Sequence, residues 1–138
     1  MKVSIKNLQR KIPVYPKRIK RAALKTLVSL GVNRPGEVAV FFVTEKRIRE
    51  LNAKYLGQPC ATDVICFDLA RDRREIMADI FICTAAAVKN AKTYKTSTEG
   101  EIFLYLVHGL LHLLGYNDRT QKERKRMQRK EKRILECL

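Results

Sequence analysis

The apolar positions of this chain change their period several times, and each change marks an element. Residues 3–8 alternate weakly and predict a short strand. Beyond Pro13 and Pro16, the residues Ile19, Ala23, Leu27 and Leu30 recur on one helical face, while Lys17, Arg18, Lys20, Arg21 and Lys25 fill most of the remainder. That pattern predicts an amphipathic helix over 16–30, with Pro16 in its first turn and Gly31 at its end. Asn33-Arg34-Pro35-Gly36 is a turn, and residues 37–43, EVAVFFV, read as a buried strand. Thr44 suits the N-cap of a helix from Glu45 to about Tyr55, with Ile48 and Leu51 turned inward and Gly57-Gln58-Pro59 closing it.

Residues 64–69 and 78–83 read as two strands joined by the charged loop 71–75, which predicts an antiparallel pair. Thr84 is placed to cap a helix over 85–91. Ser97 or Thr98 is placed to cap a long apolar helix that stops at Gly115, and Glu99 and Glu101 suit its positive N-terminal end. Residues 121–138 predict a last helix, with Met127, Ile134 and Leu138 as a thin apolar stripe. The order β-α-β-α-β-β-α-α-α implies an α+β fold, a small mixed sheet of about four strands packed against helices. There is no repeat, low-complexity stretch or linker, so a single domain over 1–138 is expected.

Composition narrows the setting. The longest apolar runs, 102–107 and 110–114, fall far short of a membrane span. The opening MKVSIKNLQRK holds no secretory h-region, so a soluble, cytoplasmic protein with no membrane partner is expected. Cys60, Cys66, Cys83 and Cys137 form no C-x-x-C pair and are expected to be buried, reduced thiols. The net charge of +15 is unevenly placed. Residues 1–36 carry ten Lys or Arg and no acid, and residues 119–133 carry nine against Glu123 and Glu131. The stretch between, 37–118, has ten basic and eleven acidic residues. Two basic ends around a neutral middle point to a polyanion, with nucleic acid favoured over a membrane surface because neither basic segment carries a bulky aromatic face.

The chemistry concentrates in the long apolar helix. The chain has two histidines, His108 and His112, and their spacing puts both on one helical face. Two imidazoles so placed can grip one metal ion. Gly115 lets the chain leave the helix and turn back, so that Tyr116-Asn117-Asp118 can bring the Asp118 carboxylate to a third position. Two nitrogens and one oxygen leave a coordination position open, which is the catalytic arrangement, and a water bound there falls from pKa ~15.7 to about 7. The zincin pattern H-E-x-x-H needs a glutamate after its first histidine; this chain has Gly109, so a peptidase lacks its base. The same donor set also suits non-haem iron, and the spacing alone leaves the metal open.

The run His108-Gly109-Leu110-Leu111-His112-Leu113-Leu114-Gly115-Tyr116-Asn117-Asp118 resembles H-G-x-x-H-L-x-G-Y-D-H, the signature of the YbeY family of metal-dependent ribonucleases. A second block agrees: Leu51-Asn52, Tyr55 and Thr62-Asp63-Val64-Ile65-Cys66-Phe67 are similar to the family's T-D-V-L-S-F region, and Ala78-Asp79-Ile80 to its G-D-I strand. Glu101, Met127, Glu131, Ile134 and Leu135 also fall where that family would place them. The resemblance implies a small α+β fold around a central metal-bearing helix facing a basic groove. It implies a zinc-dependent endoribonuclease, one Zn2+ per chain on His108, His112 and Asp118, acting on single-stranded RNA. The implied role is maturation of the 3′ end of 16S rRNA and ribosome quality control, with small-subunit rRNA and the ribosome as partners and no obligate protein partner.

The match departs from the family at two places. Asp118 stands where the third ligand is histidine, with Asn117 in place of the preceding aspartate, and Leu56 stands where the family has an arginine suited to a phosphate. Lys54 is a candidate to replace that arginine. The alternative function is a ribosome-associated RNA-binding module with a structural metal and little nuclease activity. Asp63 and Asp79 are expected to be structural, capping turns or pinning the metal helix. Glu101, two turns before His108, is a candidate to orient it or to form a buried salt bridge. No general base and no RNA-binding residue stands out.

Overall fold

The computed structural model describes residues 1–138. Its elements are β1 (Lys2–Asn7), α1 (Pro16–Ser29), β2 (Gly36–Val43), α2 (Glu45–Leu56), β3 (Val64–Asp68), β4 (Ile76–Cys83), α3 (Thr84–Tyr94), α4 (Thr98–Leu113) and α5 (Gln121–Leu135), in the expected order. The four strands form one sheet in the order β1-β2-β4-β3. β1 and β4 each run parallel to β2, and β3 is antiparallel to β4, so the sheet is mixed. Parallel neighbours need a crossover, and α1 supplies it between β1 and β2.

The strand period of two sorts the core. Val38, Val40 and Phe42 of β2 and Ile76, Ile80 and Ile82 of β4 face one side. There they bury Ile19, Ala23 and Leu27 of α1 together with Ile102, Leu106 and Leu110 of α4. On the other side, Val43, Ile65 and Cys83 pack against Ile48 and Leu51 of α2. Farther along that side Phe41, Phe67 and Phe81 stay half-buried, with Phe41 and Phe81 stacked at 4.6 Å between centroids.

α4 is apolar nearly all round because it is covered nearly all round. The sheet and α1 take one flank through Leu106 and Leu110, and Met127 and Ile134 of α5 take another through Val107 and Leu111. Each fully buried leucine contributes about 1.5–3 kcal/mol, so the helix that carries the histidines is also the anchor of the core.

Local details differ from the sequence expectations. Thr84 is the first residue of α3 rather than its cap; Cys83 stands at the N-cap without a side-chain bond, and the helix runs on to Tyr94. Ser97 is the cap of α4, its hydroxyl accepting from the Gly100 amide at 2.9 Å. β4 begins at Ile76, because its pairing with β2 reaches back to Gly36. α5 ends at Leu135, earlier than expected. All four cysteines are free, but only Cys83 is buried; Cys66 is half-buried, and Cys60 and Cys137 are exposed because they lie outside the strands. No helix is long and apolar enough to cross a membrane.

Candidate metal centre

The last turns of α4 set the first two donors. His108 and His112 lie one turn apart, with ring centroids 4.6 Å and the two Nε2 atoms 3.0 Å from each other. The helix then closes in a Schellman turn: the Gly115 amide donates to the His112 carbonyl and the Tyr116 amide to the Leu111 carbonyl. Gly115 holds φ at +95°, a conformation that glycine adopts without a Cβ penalty. The reversal carries Asp118 back, and its Oδ2 lies 3.7 Å from His112 Nε2.

Donor atoms of His108, His112 and Asp118 all fall within 4.8 Å of one another. A tetrahedral ion with bonds of roughly 2.0–2.2 Å holds its donors about 3.3–3.6 Å apart, so this group fits a metal once its widest pair draws together. The returning loop is tied at its far end. Arg124 Nη1 donates to the Asp118 carbonyl at 3.1 Å, and the Thr120 hydroxyl caps α5 by accepting from the Glu123 amide. The site is open to solvent, with about a third of each imidazole and half of the Asp118 side chain exposed.

One functional contact was missed at the sequence level. The partner of His108 is Glu131 of α5, whose carboxylate bonds the Nδ1 atom. An ionised carboxylate only accepts, so Nδ1 carries the proton and Nε2 turns its lone pair toward His112 and Asp118. Burial pushes the His108 pKa down, but the hydrogen bond and charge of Glu131, with the charges of Asp63 and Asp118, outweigh it and leave His108 raised. A signal for Glu131 was present: Met127, Glu131 and Ile134 share the buried stripe of α5, so an acid stands in an otherwise apolar face.

Glu101 does not orient His108. It is buried at the start of α4 and accepts a hydrogen bond from the Thr96 hydroxyl at 2.8 Å. It makes no salt bridge either, because no cation reaches that pocket. Asp63 opens β3, bonding the Val64 amide at 2.8 Å through its side chain, close enough for its charge to act on His108. Asp79 faces away from α4, since its neighbours Ala78 and Ile80 point to the helix; burial raises its pKa and Lys6 partly offsets this. Leu56 is exposed at the end of α2, and Lys54 lies over the Tyr55 ring at 5.2 Å. Gly109 is buried against the sheet; a Cβ there would sit 3.4 Å from Ile80 Cγ2 and 3.6 Å from Val64 Cγ2. A zincin-type glutamate has no room at this position.

The family model described as Endoribonuclease YbeY matches residues 4–138. Among curated relatives named Endoribonuclease YbeY, the one from Desulforamulus reducens is 36% identical over 100% of this chain and 97% of its own length. That from Pelotomaculum thermopropionicum is 37% identical over 98% and 95%. That from Bacteroides fragilis is 33% identical over 91% and 89%. The solution structure of a Thermotoga maritima protein superposes with a TM-score of 0.65 at 27% identity, over 97% of this chain and 87% of that one. With the family model covering nearly every residue and the relatives aligned almost end to end, the chain belongs to the endoribonuclease YbeY family.

Proposed function

We propose that this protein is a metal-dependent endoribonuclease of one domain that cuts single-stranded RNA, matures the 3′ end of 16S rRNA and serves ribosome quality control in the cytoplasm. The observation that carries the reading is the convergence of His108, His112 and Asp118, with donors within 4.8 Å, in a chain of this family. These three residues would hold one zinc ion. A divalent ion there supplies Lewis acidity toward a phosphodiester oxygen and an acidified water.

The chain's own residues prepare that chemistry. Glu131 keeps the Nδ1 proton on His108, which leaves Nε2 as the donor. The Schellman turn at Gly115 and the Arg124 tether hold Asp118 in reach. Asp118 is anionic where a histidine would be neutral, so it lowers the net charge of the site and blunts its electrophilicity. The solvent-open side of the three donors is where a strand can approach, and lysines and arginines bind its phosphates.

The test is cleavage of a single-stranded RNA by the purified protein with one equivalent of zinc, with a chelator, and as His112→Ala. Cleavage by the zinc-loaded protein alone is expected. Undiminished cleavage by metal-free His112→Ala would sink the mechanism. RNA binding without turnover at full zinc loading would instead make the protein an RNA-binding module.

A further inference from the structure

The two basic segments, separate in sequence, end side by side. Leu30, just past α1, and Leu135 and Leu138, at the end of α5, pack on the same apolar cluster of Val107, Leu111, Met127 and Ile134. Next to this junction lies an open groove of 740 Å³. Lys17, Lys20, Arg21 and Lys25 line it beside the half-buried Leu24 and the exposed Val28. Leu138 closes one side, and no acidic side chain lines it.

Most cations of these two helices have no acidic partner, although Arg124 donates to the Asp118 carbonyl and Arg126 lies over the Tyr116 ring. Of the five on α1, only Arg18 has an acidic partner, Glu99 at 2.6 Å. Of the nine between 119 and 133, none forms an ion pair. The middle of the chain behaves differently, pairing Arg47 with Glu50, Arg49 with Glu45 and Arg74 with Asp72. Clustered unpaired cations repel one another and destabilise the compact state unless a polyanion relieves them.

The path between the metal centre and the groove is α5 itself. The helix starts at Gln121, just past Asp118, and its 15 residues span about 22 Å. Its other end lies at the α1 junction. We infer that α5 and the groove on α1 form one track for the phosphate backbone of single-stranded RNA, leading away from the metal centre and ending among Lys17, Lys20, Arg21 and Lys25. This rests on the nuclease reading and adds to it an extended, sequence-independent subsite on the flank of the cut strand. An acidic protein segment fits less well, because the positive charge continues along a whole helix up to the three donors.

The test uses the zinc-loaded protein and its variant with Lys17→Gln, Lys20→Gln, Arg21→Gln and Lys25→Gln, all at exposed positions. A single strand of about 20 nucleotides exceeds the ~4–16 that such surfaces usually cover, and one of about four fits over the metal centre alone. For the long strand, the variant should bind roughly tenfold or more weaker at low salt. Its slope of log affinity against log salt should fall by about 0.7 per lost phosphate contact, up to about 3. Cleavage of the short strand should stay at the parent rate. A second variant, Arg129→Gln with Lys132→Gln and Arg133→Gln, should weaken long-strand binding in the same way. Unchanged long-strand affinity and salt slope in either variant overturns the inference. So does a parent protein whose groove binds a polyglutamate peptide while the RNA footprint stops short of α1. Failure of the nuclease reading looks different: the parent protein then leaves both strands uncut however tightly they bind.

Discussion

Glu131 on α5 bonds Nδ1 of His108 on α4, across 23 residues of sequence. Glu131 is buried on the same stripe of α5 as Met127 and Ile134, so the carboxylate has little water to fall back on. It fixes the imidazole tautomer and its rotation together, and it makes α5 part of the metal centre although α5 supplies none of the three donors.

Removing that support should weaken metal binding without removing a donor. Glu131→Ala is expected to lower zinc affinity by roughly 10–100-fold. Glu131→Gln can still accept from Nδ1 and should lose less. Competition with a chromophoric chelator measures both, and equal affinity in all three proteins would remove Glu131 from the site.

Asp118→Ala separates metal binding from folding. The side chain is half exposed and outside the core, so the metal-free variant should unfold within about 0.5 kcal/mol of the metal-free parent. Zinc at 100 times its Kd should stabilise the parent by about 2.7 kcal/mol and the variant by much less. Thermal unfolding with and without zinc, beside metal analysis of the purified proteins, reads this directly. Equal zinc content would exclude Asp118 as a ligand.

Gly109 sets how closely α4 lies on the sheet. Its hypothetical Cβ already meets Ile80 Cγ2 at 3.4 Å, so Gly109→Ala should be tolerated with slight movement. Gly109→Val puts further carbons into that contact and should cost about 1–3 kcal/mol in urea unfolding. The shift it forces on α4 would also carry His108 and His112, so zinc affinity should fall with stability. A fully stable Gly109→Val would show that the helix does not depend on this contact.

Alkali should destabilise the fold for an identifiable reason. Burial, with the charges of Asp68 and Asp79, pushes the Cys66 thiol up to about 12 from an ordinary 9.0. Burial also pushes the Tyr105 hydroxyl up to about 12 from 10.0, against a hydrogen bond from Asn90 and with the charge of Glu101. The folded chain therefore keeps protons that the unfolded chain releases, and stability falls as pH rises from about 9 toward 12. Urea midpoints measured across that range should drop, and Cys66→Ala combined with Tyr105→Phe should flatten the decline. An unchanged slope in the double variant would assign the effect to other groups.

Much of the fold and site was readable because it is local. The order of nine elements follows from apolar period, caps and breakers, each a property of a few neighbouring residues. The i, i+4 spacing places both imidazoles on one face, and Gly115 permits the turn that brings Asp118 back, all within eleven residues, 108 to 118. Relations between distant segments were not readable. Glu101 and Glu131 are both acids near an apolar helix face, and only packing decides that α5 delivers Glu131 to His108 while Glu101 turns to Thr96. The strand order β1-β2-β4-β3 and the meeting of the two basic helices belong to the same class. Period and capping act through backbone geometry over one or two turns, so the sequence by itself determined the elements, the histidine face and the charge of the two ends. Which elements touch depends on how apolar faces from the whole chain are buried together. Only the tertiary structure therefore decided the carboxylate behind His108, the half-buried aromatic side of the sheet and the groove where α1 meets the chain just past α5.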